Sequence, residues 1–97
     1  MITFPRPSDE SLNTLQRAAK KEGACALGLL CLKRLRNIPV GAPVRLTAAR
    51  REYLYWALDC TPQCFLEHPD LLNAARHVAQ QDKLVGSAFR VCCGYDA

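Results

Sequence analysis

The sequence predicts an all-α fold, a compact bundle of four to five short helices around a central apolar helix at about residues 24–35, and three observations carry that expectation. Apolar residues recur at helical spacing along most of the chain. Capping residues and prolines stand where those periodic runs start and stop. The stretch Ala24 to Leu35 is apolar all round before it ends in Lys33, Arg34 and Arg36, and a helix without a polar face has to be enclosed by neighbours. With 97 residues, 49 % of them apolar and 23 % charged, the chain has the balance of one packed core, so residues 1–97 are expected to form a single helical domain.

The elements follow in order. Residues 1–8, with Pro5 and Pro7, form an extended leader. Ser8 or Asp9 then caps a helix from about Asp9 to Lys21, with Leu12, Leu15 and Ala19 on one face and Asn13, Gln16, Arg17 and Lys20 on the other. Gly23 interrupts the pattern, and the apolar helix follows, where Gly28 permits close helix approach. Residues 37–46 hold Pro39, Gly41 and Pro43, which end the helix and make an ordered connection.

Thr47 caps a third helix reaching about Cys60. Its inner side is expected to carry Ala49, Tyr53, Trp56, Ala57 and Cys60, and its outer side Arg51, Glu52, Tyr55 and Asp59, with Trp56 as the largest contributor to the core. Thr61-Pro62 opens a short turn to about Glu67, and Pro69 opens a further helix. In that helix Leu71, Leu72, Ala75, Val78 and Ala79 face inward, leaving Asn73, Arg76, His77 and Gln80 in water. The last segment, Asp82 to Cys93, suits a helix through Leu84, Ala88 and Val91, or a strand through the alternation of Ala88 to Tyr95. Helix is preferred, because a lone strand has nothing to pair with.

The net charge of +4 hides an asymmetry. Residues 1–51 carry ten cations against three acids, and residues 52–97 carry three cations against six acids. Such a dipole draws in an acidic partner or favours self-association as a homodimer, unless the two halves intermix on folding. Met1 to Asn13 contains no apolar stretch of the kind a secretory leader needs, and the longest apolar run, Ala24 to Leu32, is about half of what a bilayer requires. The expectation is a cytoplasmic protein without a membrane partner, whose six cysteines stay as thiols.

The sharpest chemical pattern is Cys60, Cys64 and His68, spaced four apart, a set suited to zinc if Cys92 or Cys93 supplied a fourth ligand. Pro62 and Pro69 interrupt the helix that this spacing needs, and no C-x-x-C knuckle is present, so neither metal nor cofactor is expected. A Gly-rich phosphate loop, a nucleophile elbow and paired carboxylates are also missing, which argues against an enzyme. The basic clusters would suit non-specific contact of the N-terminal half with nucleic-acid phosphates, which is the alternative function. Ala24 to Leu32, however, has no polar residues with which a recognition helix could read bases.

What remains is a small non-enzymatic binding protein acting through protein–protein contacts, as an accessory, regulator or inhibitor of a larger complex. Its motif-poor character would suit a phage or mobile-element inhibitor of host defence. The contact residues expected are Lys33, Arg34, Arg36, Arg45, Arg50, Arg51 and Tyr55, grouped around the proline-containing connection and facing an acidic protein surface.

Overall fold

Local capping decides where each helix begins. The computed structural model describes residues 1–93. Ser8 has extended backbone, and its Oγ accepts from the Ser11 N–H at 3.2 Å, which starts α1 (Asp9–Lys21). Asp9 and Glu10 sit at the positive end of its dipole and Lys20 and Lys21 at the negative end. Gly23, at φ +83°, takes the left-handed conformation that turns the chain into α2 (Ala26–Leu35). Thr47 Oγ1 accepts from the Arg50 N–H and starts α3 (Ala48–Cys60). Pro62 and Pro69 occupy the first positions of α4 (Pro62–Glu67) and α5 (Pro69–Ala79), where a missing N–H costs nothing. In α6 (Lys83–Cys93) the Asp82 carboxylate accepts from the Val85 N–H at 2.9 Å.

The leader, expected as an extended segment, and the proline-containing connection, expected as an ordered link, pair with each other. The strands β1 (Thr3–Pro5) and β2 (Pro43–Arg45) form a two-stranded antiparallel ladder, with Phe4 opposite Val44. Prolines are tolerated because a two-stranded ribbon is all edge. The Arg6 and Ala42 backbones continue the ladder at 3.0 Å, and Gly41 makes the turn at φ +82°.

Every element contributes to one core. Phe4, Leu12, Leu15, Leu32, Leu35, Val44, Ala57, Leu58, Phe65, Val78, Val85 and Phe89 are buried in it. The architecture is an all-α bundle, with six helices among the described residues where the sequence suggested four to five, because the α4 turn is a helix of its own. The last segment is helical; of its strand alternative, Gly94 and Tyr95 lie outside the described residues.

The centre is not where composition placed it. Although α2 is apolar all round, Leu27 is 55 % and Leu30 36 % exposed, and only the arc Gly28, Cys31, Leu32 and Leu35 is buried. Its main neighbours are α1 and α3, while the interior belongs to α5 and α6. The reason is backbone proximity. Ala74 and Ala75 line α5, and at Gly86 of α6 a Cβ would stand 2.9 Å from the Ala79 carbonyl oxygen, so this pair packs more closely than leucine-rich α2 can. Trp56 is likewise half-buried, stacked on Tyr53 at 5.8 Å, and the largest fully buried side chains are Phe65 and Phe89. On α6 the inner arc is Val85, Gly86 and Phe89, whereas Val91 is 82 % exposed.

Two polar ties fasten the N-terminus to the bundle. Arg6 is buried, and its guanidinium donates to the Leu35 carbonyl at 3.0 Å, the Pro7 carbonyl at 2.6 Å and Asp9 Oδ1 at 2.7 Å. A cation is thereby seated at the negative end of α2. Asp70 accepts from the Ser8 N–H at 2.9 Å, the Ser11 hydroxyl at 2.6 Å and the Leu71 N–H at 3.0 Å, which joins the starts of α1 and α5.

Burial favours the protonated form of Asp70, but these hydrogen bonds outweigh it and hold the carboxyl below its ordinary value of 3.8. A carboxyl depressed by folding stabilises the native state above its unfolded pKa, and that contribution is lost as pH falls from about 4 through the lower folded value. Asp70→Ala is therefore expected to lower stability by about 1–3 kcal/mol at neutral pH and to flatten the acid limb, as read by urea unfolding at several pH values. Gly86→Ala should destabilise by about 1–3 kcal/mol, since the new methyl meets backbone that cannot yield. At Gly28 the obstacle is the Tyr53 ring at 2.7 Å, a side chain able to shift, so Gly28→Ala should cost less in the same assay.

Candidate protein-binding surface

An apolar helix with too few neighbours leaves part of itself in water. On α2 the outward arc begins with Ala26, Leu27 and Leu30, and one turn later the same arc carries Lys33 and Arg34. Leu27 also forms one wall of a groove of about 310 Å³, closed on the α3 side by Ala49, Glu52, Tyr53 and Trp56. The Tyr53 ring packs over Gly28, which brings α2 and α3 close along this line. Its hydroxyl is buried with no hydrogen-bond partner among the described residues, and burial, reinforced by neighbouring thiols, pushes the phenol pKa far up. The Tyr53 phenol stays neutral throughout the physiological range.

The residues expected to form one contact patch are divided. Lys33, Arg34 and Arg45 are exposed. Arg50 is half-buried and donates to the Arg45 carbonyl at 2.8 Å. It also faces the Cys31 thiol, whose pKa is raised by burial and partly restrained by the Arg50 and Arg34 charges. Arg34 and Arg50 thus both act on Cys31, where α2 ends and α3 begins. Arg36 turns away to Gln16 Oε1 at 2.9 Å. Arg51 is committed to Asp82, Nε to Oδ1 at 2.7 Å, tying α3 to the start of α6. The Asp82 carboxyl is held below its ordinary value, because the Val85 N–H and Arg51 overcome the opposing effect of burial.

Tyr55 lies on the far side of α3. It lines a second groove, of about 360 Å³, with Leu58, Asp59, Leu66, Val91 and Cys92. The exposed Leu27 and Leu30 were missed by reading from the sequence. The available signal was excess: a helix apolar on all sides, in a chain this small, has too few neighbours to cover it.

The zinc constellation does not assemble. Thr61, at φ −130° and ψ +47°, breaks the helix between Cys60 and Cys64, so the three residues fall in α3, in α4 and at the cap of α5. His68 Nδ1–H donates to the Cys64 carbonyl at 2.9 Å instead. Among the described residues no three His, Cys, Asp or Glu side chains converge on a point that could hold a metal ion. All six cysteines are free thiols. Burial and the adjacent Cys93 push the Cys92 thiol up to about 11.

A scan of protein-family models matches none, and searches of curated proteins and of solved structures return no match. The surface therefore has to be understood from its own chemistry. No helix among the described residues is long and apolar enough to cross a membrane. What the arrangement offers is an apolar ridge with an aromatic groove beside it and a cationic end, which suits a partner with an apolar anchor flanked by carboxylates.

Thiol accessibility checks this geometry. Cys25 is exposed and Cys31 buried with a raised pKa. One cysteine, Cys25, should react rapidly with a neutral maleimide in native protein, and Cys31 should react only on unfolding, as followed by mass spectrometry of peptides.

Proposed function

We propose that this domain is a non-enzymatic binding protein, an accessory, regulator or inhibitor of a larger complex, which engages an acidic protein surface through the outer face of α2 and the cations beside it. One observation carries the reading: Leu27 and Leu30 stand exposed on a helix with no acid of its own, continuous with Lys33 and Arg34. Monomeric proteins seldom leave adjoining leucines in water on one helix face, and such a patch rimmed by charge is the usual form of a protein contact site. The apolar part supplies affinity and the cations orient the encounter. The reading sets the protein in the cytoplasm, where six unpaired cysteines remain reduced.

The test is recovery of a partner from lysate of the native host with tagged protein, washed at about 0.5 M salt so that purely ionic contacts are screened. The wild type should retain one protein in stoichiometric amount. Leu27→Asp and Leu30→Asp should each weaken retention about tenfold or more, since each removes roughly 1–2 kcal/mol of apolar burial. Lys33→Glu with Arg34→Glu should slow association, with a salt dependence smaller than that of the wild type. Co-purification of nuclease-sensitive nucleic acid with a steep salt dependence, unaffected by Leu27→Asp, would replace this reading with phosphate binding.

A further inference from the structure

The groove between α2 and α3 is not purely apolar. Glu52 lines it beside Tyr53 and Trp56, and it is the single charged side chain among the described residues that do so. Glu52 is exposed and takes part in neither ion pair of the described residues, Arg6–Asp9 or Arg51–Asp82. The Tyr53 phenol, kept neutral by burial, adds no charge of its own. The groove therefore sets an unpaired carboxylate beside aromatic surface.

Glu52 and Trp56 stand one helical turn apart on α3, at the spacing that makes side chains neighbours on a helix face. A cation drawn to the carboxylate meets the indole as well. Which cation fits follows from the rings: Tyr53 and Trp56 are stacked, 5.8 Å between centroids and 27° between planes. Rings that cover one another form no corner, whereas a rounded ammonium group is best held by several aromatic walls. A guanidinium is planar, so it can lie against one ring while its N–H fork reaches a carboxylate. It is also more weakly hydrated than an ammonium, and leaving water opposes its binding less. On the facing wall Gly23, Ala24 and Gly28 have little or no side chain, which leaves room for an aliphatic stem.

We propose that this groove is a recognition site for an arginine side chain of a protein partner, its guanidinium paired with Glu52 and stacked at Trp56. The site deepens the contact surface proposed above and rests on it in one respect, that the occupant belongs to a protein. The partner then presents an arginine to the groove and carboxylates to Lys33 and Arg34, an alternation of charge that fixes its orientation on α2.

Trp56 is the single tryptophan of the chain, so its fluorescence and its indole N–H resonance report on the groove. The probes are capped tripeptides with glycine on either side of a central arginine, citrulline, lysine or norleucine, titrated into the full chain at constant ionic strength. The arginine peptide should shift both signals saturably, with a dissociation constant of about 1–10 mM. Citrulline keeps the shape and loses the charge, so its peptide should bind about tenfold more weakly, and the lysine peptide about threefold more weakly. Glu52→Gln should weaken the arginine peptide about fivefold or more. Glu67→Gln, which alters an exposed acid of α4 outside the groove, should leave it unchanged. Both positions are exposed, so circular dichroism should remain that of the wild type.

The absence of saturable change up to ~50 mM arginine peptide overturns the proposal. Equal binding of the citrulline, lysine or norleucine peptide overturns it too, because the groove then does not select a guanidinium. So does an affinity of Glu52→Gln within about twofold of the wild type. These titrations involve no partner and are separable from the recovery from lysate. Failure of that recovery with peptide binding intact would unseat the functional reading alone, and loss of peptide binding with recovery intact would unseat this site alone.

Discussion

The closeness of α5 to α6 is the constraint on which the rest of the structure depends. Gly86 stands where any side chain would meet the Ala79 carbonyl, and Ala74 and Ala75 keep the facing helix thin. Phe65 and Phe89 are buried as a result, and each withdraws a large apolar surface from water. The position of α6 in turn sets that of α3, through the Arg51–Asp82 pair and the contact near Pro62. Both grooves are consequences, since each has α3 as one wall.

A second set of constraints is polar and long-range. The chain start is held by Asp70, which accepts from Ser8 and Ser11 about sixty residues earlier. It is held again by Arg6, whose guanidinium reaches the end of α2. Each hydrogen bond contributes only about 1 kcal/mol net, but any buried donor left without its acceptor costs more than that. Their effect is chiefly to select one arrangement, in which the leader lies beside α5 and pairs with residues 43–45.

The charge asymmetry of the sequence survives folding only in part. Of the cations in the first half, Arg6 is internal, Arg36 is bonded to Gln16 and Arg51 crosses to an acid of the second half. What persists at the surface is local: Lys33 and Arg34 on the last turn of α2 and Arg45 just before α3 are exposed, with Arg50 half-buried. Function by contact draws on such local patterns, because a charge more than about 10 Å away is screened at cellular salt.

The sequence by itself determined the helices and their limits. Ser8, Thr47, Pro62, Pro69 and Gly23 act on their own neighbours within a turn, so capping and periodicity are legible without a partner. It also identified the cations that border the exposed leucines. Only the tertiary structure decided which apolar arcs are inside. Periodicity puts Trp56 on one arc with Ala57, and Val91 on one with Leu84 and Ala88, yet Ala57 is buried, Trp56 half-buried and Val91 exposed, since burial depends on which backbones can approach closely. The ribbon of Phe4 and Val44, the scattering of Cys60, Cys64 and His68, and the exposure of α2 share that cause: each is settled by contacts between residues distant in the chain, and periodicity reports the direction of a side chain but not what lies opposite it.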